Sequence, residues 1–173
     1  MEDYNFYDHM HNYAVWTAAR AVQRKFTKTK NIKSAIEATD LKEFSQNPKS
    51  MTIEQFDNFH RITSHKIIEH LDKLGIEASY GQAAKIIAIY LKTSLIIRDS
   101  GQSQISKIAH PPIDNILLTN LNKNFPSLGL KGIRWTQLSE EKYFSLIGKL
   151  RSLNLDSFWK LEKYWQPNRA STP

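Results

Sequence analysis

Two residues whose types could do chemistry together stand near the middle of the chain. Lys85 lies close to the start of an apolar stretch at 83–97, and Asp114 follows a proline pair in His-Pro-Pro-Ile-Asp at 110–114. A lysine in apolar surroundings loses its proton more readily and becomes an amine nucleophile. A carboxylate at a helix start is held ionised by the helix dipole. An amine nucleophile beside a carboxylate is the minimum equipment for Schiff-base chemistry.

The elements that must position these residues are predicted to be helices. Thr52 with Gln55 and Ser79 with Gln82 have the spacing of capping boxes, so each pair marks a helix start. Residues 99–109 and 122–134 are polar or contain Pro and Gly, and they are predicted to be loops. Apolar residues at helical spacing predict helices at 6–25, 30–38, 52–74, 79–98, 111–121, 139–153 and 158–165. We therefore expect an all-α fold, a compact orthogonal multi-helix domain over 1–165 with a flexible tail at 166–173.

Composition limits the function classes. The chain has 173 residues and no cysteine, which excludes disulfides, thiolate zinc sites and iron–sulfur clusters. His60, His65 and His70 are spaced by five, which spreads them around a helix and does not favour a metal site. The sequence contains no run of about 18 apolar residues, so no membrane span is predicted. The acidic N-terminus does not have the basic-then-apolar order of a signal peptide. We expect a cytoplasmic protein that uses no metal or cofactor.

The charge distribution points to a polyanionic partner. The net charge is +7, and residues 20–33 contain six basic side chains and no acid. Such a segment is typical of a surface that contacts nucleic-acid phosphates. The alternative is a merely solvated helix end and loop. The basic residues are Arg20, Arg24, Lys25, Lys28, Lys30 and Lys33.

The stretch from Leu74 to Leu91 has the order of a helix-hairpin-helix. A helix ends at Leu74-Gly75, a short connection follows, and a second helix begins near Gly81-Gln82 with a lysine in its first turns. Hairpins of this kind hold a DNA phosphate through backbone N–H groups at the second helix. Gly81 and Gln82 are therefore candidate nucleic-acid contacts.

Residues 70–121 resemble the helix-hairpin-helix DNA glycosylase superfamily. The resemblance rests on Lys85 in Gln-Ala-Ala-Lys-Ile-Ile at 82–87 and on Asp114 after its proline pair. The two residues are 114 − 85 = 29 positions apart, which is similar to the wider spacing of the archaeal 8-oxoguanine DNA glycosylase branch. The absence of cysteine excludes the branches that carry an iron–sulfur cluster.

The resemblance implies a DNA-repair activity on duplex DNA. Such an enzyme flips a damaged or modified base out of the helix and cleaves its N-glycosidic bond. Lys85 would attack C1′ and form a Schiff base, while Asp114 would take up the lysine proton or stabilise charge on the sugar. His110 would contact a phosphate or the base. Four aromatic residues are candidates for stacking on the base: Trp16, Tyr80, Trp135 and Trp159.

Other interpretations of the same residues stay open at this point. Lys85 could be a surface lysine whose alkyl chain lies along an amphipathic helix, and Lys92 is a rival nucleophile two turns further along. Asp114 could be an ordinary acid at a helix start. The whole chain could instead be a non-catalytic nucleic-acid-binding protein, or a helical protein-interaction module whose apolar helix packs in a dimer interface.

Overall fold

A computed structural model describes residues 4–22 and 25–167, and these residues form helices joined by loops, with no β-strand. The expected all-α fold is confirmed. The α-helices are α1 (Phe6–Ala21), α2 (Thr29–Glu37), α3 (Leu41–Gln46), α4 (Ile53–Lys73), α5 (Tyr80–Leu91), α6 (Gln104–Ile108), α7 (Asn115–Asn124) and α8 (Glu140–Arg151). A π-helical turn at Lys92–Ile96 continues α5, and 3₁₀ helices lie at Pro126–Leu128, Trp135–Gln137 and Phe158–Tyr164.

Both expected capping boxes start the helices that they were predicted to start. The Thr52 hydroxyl accepts from the Gln55 N–H and the Gln55 side chain accepts from the Thr52 N–H, and Ser79 with Gln82 repeats the arrangement. The reciprocal bonds satisfy backbone donors that have no partner within the helix. Helix α4 ends before Gly75, whose φ of +72° suits the left-handed turn that follows.

Helix α5 lies at the centre of the fold. Ten of its twelve residues are buried, and it packs against α1 on one side and α4 on another. A helix that is apolar around most of its circumference is stable only when neighbours cover it. Full burial of each large aliphatic side chain, such as Ile86 or Leu91, contributes about 1.5–3 kcal/mol. The chain itself therefore covers most of the surface of α5.

The observed boundaries differ from the expected ones at several places. Residues 104–108 form α6 because the Ser103 hydroxyl caps the Ser106 N–H, whereas a loop was predicted. Pro111 and Pro112 do not open a helix, since α7 begins only after Asp114. Helix α1 ends at Ala21 instead of Lys25, and the last segment is a 3₁₀ helix.

The buried apolar side chains form one cluster that extends from Ala14 to Leu161. Most of the polar tail predicted at 166–173 lies outside the described residues. No helix in the described ranges combines the length and apolar character that crossing a membrane requires.

Candidate functional site

The structure brings Lys85 and Asp114 together. Lys85 lies in the second turn of α5, where burial of the helix leaves its side chain only 4% exposed. Its Nζ lies 2.8 Å from Oδ2 of Asp114, which is 17% exposed. A lysine on a solvated face would have been largely exposed. The pair is instead a mostly buried ion pair between the central helix and the start of α7.

Asp114 is held in place by two further donors. It is the N-cap residue of α7, and its Oδ1 accepts from the Leu117 N–H at 2.9 Å. Its Oδ2 also accepts from the indole N–H of Trp165 at 2.9 Å. The carboxylate therefore faces the Lys85 amine with its own orientation fixed by α7 and by the segment that follows the last 3₁₀ helix.

The electrostatics of the pair suit proton transfer. Burial lowers the pKa of the Lys85 amine, and the neighbouring Asp114 carboxylate partly opposes this shift. Burial disfavours the charged form, so less energy is needed here than in water to remove the ammonium proton. Asp114 Oδ2 lies within hydrogen-bond distance to receive that proton. The arrangement can supply a neutral amine nucleophile with its proton acceptor in contact.

A second amine lies on the same side of α5. Lys92 hydrogen-bonds to Glu162, and its Nζ lies 4.9 Å from the centre of the Trp165 ring. Burial raises the pKa of Glu162, while the charge of Lys92 opposes the shift. Lys92 is 23% exposed, so Lys85 is the more desolvated of the two amines. The stronger desolvation favours Lys85 as the nucleophile.

Two residues of this site, Glu162 and Trp165, were not assigned to it from the sequence. The Trp135 ring lies over the Lys85 amine, 5.6 Å from Nζ to the ring centre, and Trp165 and Glu162 come from the C-terminal segment. Trp135 and Trp159 were candidates for stacking on a base, whereas no role was predicted for Trp165. No local signal in the sequence indicates that these residues meet α5.

The first turn of α5 is not free to hold a phosphate. The Gly81 N–H donates to the Leu138 carbonyl at 3.1 Å, and the Gln82 N–H donates to the Ser79 hydroxyl. A Cβ on Gly81 would lie 1.9 Å from the Trp135 carbonyl oxygen. The expected hairpin contact through Gly81 and Gln82 is therefore not confirmed, because internal partners occupy these amides.

His110 is placed differently from a residue that contacts phosphate. It is 2% exposed, with Tyr143 Oη 3.0 Å from Nδ1 and Asp57 Oδ1 2.9 Å from Nε2. Arg151 forms two hydrogen bonds of 2.7 Å with the Asp57 carboxylate. Burial would raise the pKa of Asp57, but hydrogen bonds from Arg151 and His110 outweigh it and hold that pKa below its usual range. Both ring nitrogens of His110 therefore have hydrogen-bond partners within the protein, and neither is free to contact DNA.

His60 extends the same buried cluster. Its Nδ1 lies 3.1 Å from Tyr80 Oη, and its ring centre lies 4.6 Å from that of His110. Tyr80, a candidate for stacking on a base, is thus part of the core. Burial lowers the pKa of both histidines, most strongly for His60, where the neighbouring His110 adds to the effect.

Acidification should therefore destabilise the fold. The folded state keeps His60 and His110 neutral, whereas each takes up a proton in the unfolded chain below about pH 6.5. Unfolding then binds protons, so the free energy of unfolding should fall by up to about 1.4 kcal/mol per pH unit for each histidine. Urea denaturation at pH 7.5, 6 and 5 measures this loss. His60→Asn should flatten the dependence, His9→Gln at an exposed position should not, and equal stability at all three pH values would contradict the prediction.

The basic residues of 20–33 lie mainly on the surface. Arg20 covers the exposed Trp16 ring, at 5.4 Å from the guanidinium carbon to the ring centre. Lys33 is half-buried and donates to the Asn12 side chain at 2.9 Å, and Arg24 lies outside the described residues. An open groove is lined by Lys25, Thr27, Lys28, Lys30, Asn31 and Leu74.

Comparisons with known proteins identify no relative. No family model matches the chain, and no curated protein or solved structure is significantly similar to it. Among the described residues, no three His, Asp or Glu side chains come close enough to hold a metal ion.

Proposed function

We propose that this protein is a DNA-binding, glycosylase-like repair enzyme that removes a damaged or modified base through a lysine Schiff base. The observation that carries the proposal is the contact between the buried Lys85 amine and the Asp114 carboxylate at a helix N-cap. Burial that lowers the pKa of a lysine, with a proton acceptor in contact, is how proteins prepare an amine nucleophile. The sequence resemblance at 70–121 leads to the same pair.

The reaction follows from the positions of these two groups. Asp114 accepts the ammonium proton, and the neutral Lys85 amine attacks C1′ of a flipped-out nucleotide. The N-glycosidic bond breaks as the C1′–N bond to lysine forms, and the base leaves with its bonding electrons and takes the proton that Asp114 holds. Transfer of one proton from the lysine nitrogen to O4′ then opens the sugar ring and gives the protonated Schiff base. After it has passed the proton to the base, Asp114 is a carboxylate again and stabilises the positive charge of the protonated Schiff base.

Substrate access requires movement of the Trp165 side chain. The amine is 4% exposed, and the Trp165 indole donates to the same carboxylate oxygen that Lys85 contacts. An amine with so little exposed surface cannot contact a nucleotide sugar unless a neighbouring side chain moves. We therefore place the Trp165 side chain at the entrance, where it would move away from Asp114 when DNA binds.

Borohydride trapping tests the proposal directly. Duplex oligonucleotides carrying 8-oxoguanine, uracil or an abasic site are incubated with the protein and reduced, and covalent adducts are resolved on a denaturing gel. A Schiff base becomes a stable secondary amine under these conditions, so an adduct on at least one substrate is expected. Absence of adduct and of strand cleavage on every substrate would overturn the enzyme proposal.

A second candidate function is non-catalytic nucleic-acid binding, favoured by the groove that contains Lys25, Lys28 and Lys30. Three exposed lysines without an acid among the lining residues fit a phosphate backbone. The same surface would serve the enzyme as its DNA contact. Salt-dependent binding without any adduct would support this function over the first.

Substitution of Lys28 and Lys30 by glutamine should weaken DNA binding and its dependence on salt. Each lost phosphate contact reduces the slope of log affinity against log salt by about one, so the double variant should lose about two. Fluorescence anisotropy with a labelled duplex at several salt concentrations measures the slope. Lys66→Gln with Lys142→Gln removes equal charge at exposed positions outside the groove, and an equal loss in that control would refute the assignment of the groove.

A further inference from the structure

The segment that delivers Asp114 to Lys85 is held by side chains and not by a backbone ladder. Ala109, His110 and Ile113 are almost fully buried between α6 and α7. Pro111 and Pro112 have no N–H, and no backbone–backbone hydrogen bond of the described residues involves positions 110–113. The polar anchor of this segment is therefore the His110 imidazole.

The imidazole ties the segment to two helices at once. Tyr143 of α8 lies at its Nδ1, and Asp57 of α4 lies at its Nε2. All groups are satisfied if the Tyr143 hydroxyl donates to Nδ1 and the Nε2–H donates to Asp57, and we assign the hydrogens in this way. Arg151 holds Asp57 in turn through two hydrogen bonds. His110 is thus fixed from both sides.

Only three residues separate this anchor from the carboxylate. Two of them are prolines, whose rings fix φ near −65° and restrict the residue before them to extended backbone. A stiff connection of this kind transmits a displacement of His110 to Asp114 with little loss. By contrast, His60 lies in α4 beside the same tyrosine but on no part of the chain that leads directly to Asp114.

We propose that His110, held by Tyr143 and Asp57, is a positioning residue that sets Asp114 against the Lys85 amine. The inference rests on the proposed function for its catalytic meaning, since positioning matters only if the pair reacts. It also makes a statement about geometry that is independent of activity. Displacement of a catalytic group by about 1 Å lowers the rate by up to about 100-fold.

The Trp165 indole provides a direct reporter of Asp114. Its N–H donates to Asp114 Oδ2, so its resonance in an ¹H–¹⁵N spectrum reports where the carboxylate lies. Trp165→Phe assigns the signal among the four tryptophan indoles of the chain. His110→Asn and Tyr143→Phe should each shift this resonance. The matched controls His60→Asn and Tyr80→Phe, which remove polar groups from the same buried cluster, should leave it near its original position.

Trapping kinetics test the catalytic consequence. We expect His110→Asn to slow adduct formation by up to about 100-fold, and Tyr143→Phe to slow it less, because one of the two anchoring contacts remains. Asp114 raises the pKa of Lys85, so its withdrawal should also move the pH profile of trapping to lower pH. A purely structural role would lower the yield of active protein without moving that profile.

The outcomes separate the two proposals. Absence of any adduct in the unsubstituted protein would overturn the enzyme proposal. An indole shift in His110→Asn and Tyr143→Phe, but not in the controls, would support the positioning role of His110 even in that case. An equal indole shift in the His60 and Tyr80 controls, or no shift in any variant, would overturn the positioning role. If His110→Asn fails to fold, Tyr143→Phe decides the question, because it removes only one hydroxyl.

Discussion

Replacing Lys85 by glutamine is expected to abolish covalent trapping while the protein stays folded and binds DNA. The amide nitrogen of glutamine is not a nucleophile, and loss of a covalent nucleophile costs on the order of 10³-fold or more in rate. The side-chain N–H₂ of glutamine is still a hydrogen-bond donor toward Asp114. The carboxylate also keeps its bonds from Leu117 and Trp165, so the variant should not leave it without partners.

Lys92→Gln is the matched control for this prediction. Lys92 lies on the same side of the central helix, pairs with Glu162, and also contacts a tryptophan ring, but it is less desolvated. Trapping should survive in Lys92→Gln. Loss of the adduct in that variant with retention in Lys85→Gln would assign the nucleophile to Lys92 instead. A thermal unfolding curve for each variant shows whether a lost adduct reflects chemistry or a lost fold.

Asp114→Asn separates the two roles of the carboxylate. Asparagine is as good an N-cap as aspartate, so α7 should keep its start. It cannot take up the lysine proton, so trapping should be slower, and it lacks the charge that raises the pKa of Lys85, so the pH profile of trapping should move to lower pH. An unchanged rate would show that Asp114 only caps the helix.

Gly81→Ala is expected to destabilise the fold by about 3 kcal/mol, near the upper end of the cost of overpacking. The added Cβ would lie 1.9 Å from the Trp135 carbonyl oxygen and 3.2 Å from the Leu138 Cβ. The oxygen belongs to the backbone, so α5 and the 3₁₀ helix at Trp135–Gln137 would have to separate. The Trp135 ring lies over the Lys85 amine, so the same displacement should also slow trapping.

Gly148→Ala provides the control, because it places the same methyl group in α8 where no atom lies within 4 Å of the new Cβ. Alanine is favoured over glycine inside a helix by about 0.5–1 kcal/mol, so this variant should be slightly more stable. Urea denaturation of both variants gives the comparison. Gly81→Ala with the stability of the unsubstituted protein would show that the close approach of Trp135 is not required.

The sequence alone determined the features that depend on neighbouring residues. The capping boxes at Thr52 and Ser79 satisfy donors three residues away, and the apolar character of 83–97 makes that stretch central wherever the rest of the chain packs. The conformations at 104–113 were not recognised. A single Ser103 cap is a weak signal, and the proline pair, which can open a helix, lies here in an extended segment held by His110.

Only the tertiary structure decided which candidates meet. Lys85 and Asp114 were both chosen from the sequence, but a distance of 2.8 Å between residues 29 positions apart depends on how α5 and α7 pack. The same packing buries His110 and occupies the Gly81 amide, so these two residues serve the fold instead of a phosphate. It also brings Trp165 from the end of the chain to Asp114. Local chemistry specifies helices and reactive groups, whereas contacts between distant side chains arise from burying many faces at once, which no local pattern encodes.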